Sequence, residues 1–267
     1  MKEKINMEEN LKILNETLVD TIIDKFEKIN IEDIYTDEFQ VQLKTLADNH
    51  HIYIDFNTDP PYTSKVNGDA KEILNKETGY DYQIIFRLPN RKLTEQDNRD
   101  LTITFLHEFT HAVIFGIIKK LMPEVQRDKI LLNFDSTRSK PFRFDINKVT
   151  QADCERFLNY VFSLKERPVF ALSIAYSCYH HRQTETLKTL FDTNKKIILD
   201  YGHGVISEDE RFRYISRLKD EKVFLFEIQY AVYFLSDRKW IFKLDSFMNL
   251  IKKYENRFSK ILLKRGG

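Results

Sequence analysis

The chain has 267 residues and a mass of 32.0 kDa, enough for one large core or two modest ones. Its formal net charge is +1, so no bulk field draws a polyanion; this argues against a dedicated nucleic-acid binder while leaving room for a local basic patch. With 42% hydrophobic and 31% charged residues, the composition is globular rather than disordered.

Seven glycines and six prolines are about half or less of average usage, which favours helices over a loop-rich all-β fold. Two cysteines, Cys154 and Cys178, cannot build a disulfide framework and suit a reducing compartment. The first ten residues are charged, with no apolar run behind them, so no secretory signal is visible. The longest uncharged stretch, 168–181, falls short of a bilayer span. The expectation is a cytoplasmic protein without membrane contact.

In chain order, Leu11, Leu14, Leu18, Ile22 and Phe26 repeat at helical spacing and predict a helix over 8–29, followed by a short one over 37–48. The period then changes. Ile52, Ile54 and Phe56 alternate as in a half-buried strand. Asn67-Gly68 is a strong hairpin-turn dipeptide, predicting strands at 62–66 and near 70–74. Residues 81–89 read as a strand that Pro89 ends or marks as an edge. A small antiparallel sheet is the economical expectation.

Thr94 to Asp97 has the form of a capping box. Behind it, Leu101, Phe105, Leu106, Phe109, Val113, Ile114, Ile117 and Leu121 surround much of a helix over 95–121, predicting one that is mostly buried. Residues 123–149 are irregular and long for a connection, which suggests a functional loop. Thr150 to Asp153 offers a second cap. Helices are then predicted over roughly 150–161, 165–182, 184–200, 208–220, 222–236 and 240–264. Gly202-His203-Gly204 and Ser236-Asp237 punctuate them. The predicted organisation is a helical segment over 1–49, a sheet and helix over 50–122, a loop over 123–149 and a helical part over 150–267. The class is α+β, mainly helical.

Inside the apolar helix lies His107-Glu108-Phe109-Thr110-His111. Residues i and i+4 share a helix face, so both imidazoles can reach one metal ion. A glutamate at i+1 points roughly 100° away, near enough to hold a water on that ion without ligating it. A chain of this composition carries HExxH by chance about once in a hundred. The apolar flanks Leu106, Phe109, Ala112 and Val113 argue against a merely solvated face.

This segment resembles the zincin metallopeptidases, specifically over Thr94–Gly116 and more weakly over 50–180. The resemblance implies zinc, with His107 and His111 as ligands and Glu108 as general base on the zinc-bound water. The metzincin branch would need glycine at 114 and histidine at 117; the chain has Ile114 and Ile117. The remaining large branch, the gluzincins, takes a glutamate from a later helix. Glu166, in Tyr160–Ala171, resembles that third-ligand segment as it stands in lethal-factor-type toxin peptidases and phage-encoded metallopeptidase-like proteins. A salt bridge from Glu166 to Arg167 or Lys165 is the competing reading.

The chain departs from the thermolysin-like pattern in the 54 residues that separate His111 from Glu166, in lacking NExxxD, and in carrying Pro168. His50, His51, His180, His181, His203, Asp135 and Asp145 are weaker ligand candidates. By the same resemblance Tyr160 is the first choice to stabilise the oxyanion, ahead of Tyr176, His203 and Arg167. The implied activity is zinc-dependent endopeptidase on a protein or peptide substrate, which strand 81–88 would receive by strand addition. Two alternatives stand beside it. One is a non-proteolytic zincin-fold regulator or structural protein, such as a phage or mobile element encodes; the other is a helical binding module in which HExxH is accidental.

Overall fold

The computed structural model describes residues 52–57, 67–72, 82–88, 103–111, 148–163, 166–180, 186–218 and 220–263, with 41, 45, 91, 94, 97, 100, 101 and 146. The predicted helix over 8–29, all of the helix over 37–48 but the helical residues 41 and 45, the strand at 62–66, most of the 123–149 loop and the helix beyond 111 lie outside the described residues. The chain divides into two compact units, Met1–Leu132 and Asn133–Gly267.

The first unit holds a three-stranded sheet of β1 (Ile52–Asn57), β2 (Asn67–Glu72) and β3 (Tyr82–Arg87), in the order β1-β3-β2. Strand β3 runs parallel to β1 and antiparallel to β2. Two expectations are corrected here. The sheet is mixed rather than antiparallel, because alternation fixes which side chains face inward but not the direction of the partner strand. Strand β3 is central rather than an edge, so both its hydrogen-bonding sides are used and it cannot receive a peptide by strand addition. Asn67-Gly68 makes no hairpin tip either. It opens β2, opposite Arg87 and Phe86, so long-range pairing overrides the local turn signal.

Tyr82, Ile84, Phe86 and Leu88 are buried on one face of β3, with Ile52 and Ile54 of β1 beside them. Against this face lies helix α1, described over 103–111. Phe86 stacks on Phe105 at 5.3 Å and Phe105 on Phe109 at 5.4 Å. Leu101, Phe105, Leu106 and Phe109 are fully buried, whereas His107, Glu108 and His111 are half-buried. The described part of the helix is therefore two-sided, and HExxH puts its polar groups on the more open side.

The start of this helix is held by the predicted cap. Thr94 Oγ1 accepts from the Asp97 N–H at 3.2 Å, and Thr94 N–H donates to Asp97 Oδ2 at 2.7 Å. Arg91 clamps the same carboxylate through two N–H groups, at 2.6 and 2.9 Å. The Arg91 guanidinium, more than any other contact, holds Asp97 down at about 2, from an ordinary 3.8.

The second unit is helical: α2 (Gln151–Val161), α3 (Glu166–His180), α4 (Leu187–Gly202), α5 (Glu208–Ser216), α6 (Asp220–Leu235) and α7 (Arg238–Leu263). Thr150 and Asp153 cap α2 reciprocally, and Ser207 and Glu210 do the same for α5. Ser163 caps the start of α3, its Oγ accepting from Glu166 N–H at 3.2 Å and its carbonyl from Arg167 N–H at 3.1 Å. Pro168 stands third in α3, within the first turn, where a missing N–H costs least.

Helix α6 packs against α2, α3, α4 and α7, and α3 packs most extensively on α7. Both α3 and α6 bury most of their circumference, as central helices must. Inside this core Tyr214 donates to Asn194, Asn194 to Gln229, and Gln229 to the Phe191 carbonyl, at 2.8, 2.8 and 3.1 Å. Gly204, at φ 70°, and Ser236, at φ 51°, take the left-handed conformation at the punctuation points the sequence marks. The chain is mainly helical, and among the described residues no helix is long and apolar enough to cross a membrane.

Removing the Asp97 carboxylate (Asp97→Asn) is expected to cost about 2 kcal/mol at pH 7, read by urea denaturation. Because the folded value is depressed, this contribution is fully present above pH 3.8 and lost as pH falls through about 2. A gap between variant and wild type that stays constant down to pH 1.5 would contradict the clamp.

Candidate metal centre

His107 and His111 sit one helical turn apart on the half-buried side of α1. Their Nε2 atoms are 3.2 Å apart and their rings meet edge to face, with centroids at 4.8 Å. Two nitrogens each 2.0–2.1 Å from one tetrahedral ion would stand about 3.3 Å apart. The pair is therefore at ligand spacing. A hydrogen bond between a donor and an acceptor tautomer would give a similar distance. His111 Nδ1 is enclosed, and its Nε2 is the atom turned toward His107.

Glu166 opens α3 and is 4% exposed. Each of His107, His111 and Glu166 offers one ligand atom, and these atoms all lie within 4.8 Å of one another. Two imidazoles and a carboxylate are a donor set that zinc accepts, with a fourth position left open. The widest spacing exceeds the separation of ligands on one tetrahedral ion by about 1.5 Å, so the side chains would have to draw together to share one ion. The residues fit a single divalent ion.

Arg167, one of the two competing partners for Glu166, donates from its guanidinium to Ser246 Oγ at 2.6 Å. Lys165, the other, lies outside the described residues.

The remaining candidates separate cleanly. Glu108 is half-buried on α1, beside the two histidines in sequence. Tyr160 is half-buried near the end of α2, its ring edge-on to Phe170 at 5.9 Å. Tyr176 is a core residue packed on Phe258. His180 ends α3, 14 residues and so roughly 21 Å of helix from Glu166, and cannot share its ion. His203 is exposed at the C-cap of α4. His50, His51, His181, Asp135 and Asp145 lie outside the described residues. Sequence reasoning missed Arg91 as the clamp on the motif helix, and Ser163 as the cap beneath Glu166. The Ser163-x-x-Glu166 spacing is the signal that could have found the latter.

No protein-family model, curated protein or solved structure matches this chain.

The site is thus read from its own residues. Glu166→Gln keeps the shape of the side chain and removes its charge. It is expected to lower zinc affinity by about a hundredfold or more, measured by competition with a chromogenic chelator. Unchanged affinity would remove Glu166 from the ligand set.

Proposed function

We propose that this chain is a zinc-dependent metalloendopeptidase of zincin type, with His107, His111 and Glu166 holding the ion. The observation that carries this reading is the convergence of the two Nε2 atoms and the Glu166 carboxylate within 4.8 Å, with Glu108 next to His107 on the same helix. A pair of histidines alone would fit many surfaces. A pair joined by a buried acid from a later helix fits far fewer.

When bound, zinc supplies a Lewis acid that polarises a peptide carbonyl and makes water nucleophilic near neutral pH. The chain's own residues do the rest. Glu108 takes the proton of the attacking water on its carboxylate and returns it to the departing amine. The fixed helix α1 keeps that carboxylate in register with the two imidazoles, so the proton path needs no rearrangement. Tyr160 is proposed to donate its hydroxyl to the developing oxyanion. A peptide that binds by strand addition would use an outer strand, β1 or β2, since β3 is paired on both sides.

On this reading the mixed sheet with α1 forms a zincin-like N-terminal half, and the helical unit supplies the third ligand. The substrate is a protein or peptide, recognised mainly through its backbone. Residence in the cytoplasm fits two buried thiols that form no disulfide, one of which, Cys154, is pushed up to about 11 by burial.

Glu108→Gln should retain zinc stoichiometry and lose peptide hydrolysis by at least about a hundredfold. A peptide library read by mass spectrometry measures the loss. Full activity in that variant would overturn the mechanism.

A further inference from the structure

The first turns of α7 carry a second chemical feature, unrelated to HExxH. Lys239, Lys243 and Ser246 stand at i, i+4 and i+7 and so share one stripe of the helix. Lys239 Nζ lies 4.5 Å from the centroid of the Trp240 ring, and Lys243 Nζ lies 4.6 Å from it. Both ammonium groups are thus held over one indole that is itself 2% exposed. One turn further along, Arg167 of α3 reaches across to Ser246 Oγ at 2.6 Å.

The three cations sense one another. Burial, then the charges of Lys239 and Arg167, push the Lys243 ammonium below the usual lysine value. Among the described residues, no carboxylate forms an ion pair with any of the three. The chain as a whole is nearly neutral, so this is a local concentration of positive charge rather than a share of a general excess. Two like charges gathered on one buried ring, with a third close enough to act on Lys243, repel each other. The side chains keep unused donors: three N–H on each ammonium and four of the five on the guanidinium. Flexible ammonium donors beside a planar guanidinium fork are the donor set that oxygen anions satisfy.

We propose that Lys239, Lys243, Arg167 and Ser246 form a binding site for an oxyanion, the group common to phosphate and to the carboxylates of an acidic peptide. Trp240 is its floor. The site does not depend on the metal reading, and its four side chains all belong to the second unit.

Trp240 is the single tryptophan of the chain, so its emission reports directly on the two ammonium groups above it. The full-length protein, stripped of metal with EDTA and then dialysed free of the chelator, is titrated against inorganic phosphate and separately against a glutamate-rich hexapeptide. Ionic strength is held constant with sodium chloride, and binding is followed by emission and by calorimetric heat. A saturable response is expected with at least one of them. Saturation by phosphate alone identifies a phosphate source, and saturation by the peptide alone identifies a carboxylate source. The Lys239→Gln/Lys243→Gln variant should bind at least about tenfold more weakly, with an unchanged far-ultraviolet spectrum. Should that pair disturb folding, Lys239→Gln alone, at an exposed position, is expected to weaken binding measurably. The proposal is overturned if neither titrant saturates, if chloride alone gives the same response, or if folded lysine variants bind as the wild type does. EDTA separates this result from the zinc reading: the oxyanion response should survive removal of the metal.

Discussion

Two imidazole nitrogens held 3.2 Å apart on one turn of helix are the constraint on which the proposed chemistry depends. The spacing is set by helix geometry, not by the histidines themselves. It is worth something only if the helix cannot roll or fray. Rolling is opposed by the ladder of Phe86, Phe105 and Phe109, since burying three such rings contributes several kcal/mol. Fraying is opposed by the Thr94–Asp97 cap and its Arg91 clamp. The motif is thus fastened from below by aromatic packing and from its N-terminal end by a charged cap, which leaves the histidine side open for a ligand.

Glu166, the proposed third ligand, is held by a different device. Glu166 begins a helix that Ser163 caps. Its neighbour Arg167 donates to Ser246 Oγ on α7 at 2.6 Å. A carboxylate with 4% exposure is costly unless a cation or hydrogen bonds meet it. A divalent ion is one partner that would meet that cost. Glu166 opens α3, which packs most extensively on α7 and also against α6. That packing gives the first turn of α3 a rigid base.

Much of this was legible in the sequence, for identifiable reasons. The helices of the second unit fall close to their predicted spans, because helical periodicity and capping residues are local signals that tertiary packing reinforces. The caps at Thr94 and Thr150 were readable for the same reason. The histidine pair was readable because i, i+4 spacing carries its geometry with it. What could not be read was non-local. Strand direction, and the central place of β3, depend on which strands meet, and alternation is silent on that. Asn67-Gly68 misled because a local turn preference was outweighed by pairing with β3. Arg211, 1% exposed with its guanidinium 4.2 Å over the Tyr201 ring, sits in a stretch that reads as a solvated polar helix. The chain from Tyr214 through Asn194 to Gln229 likewise joins residues from three helices, with no trace in the local pattern.

The most direct measurement is diffraction from crystals of the zinc-supplemented protein at energies on either side of the zinc absorption edge. A single anomalous peak is predicted within bonding distance, about 2.0–2.2 Å, of His107 Nε2, His111 Nε2 and a Glu166 oxygen. A peak that touches the histidines but leaves Glu166 remote, or the lack of any peak at this position, would contradict the account.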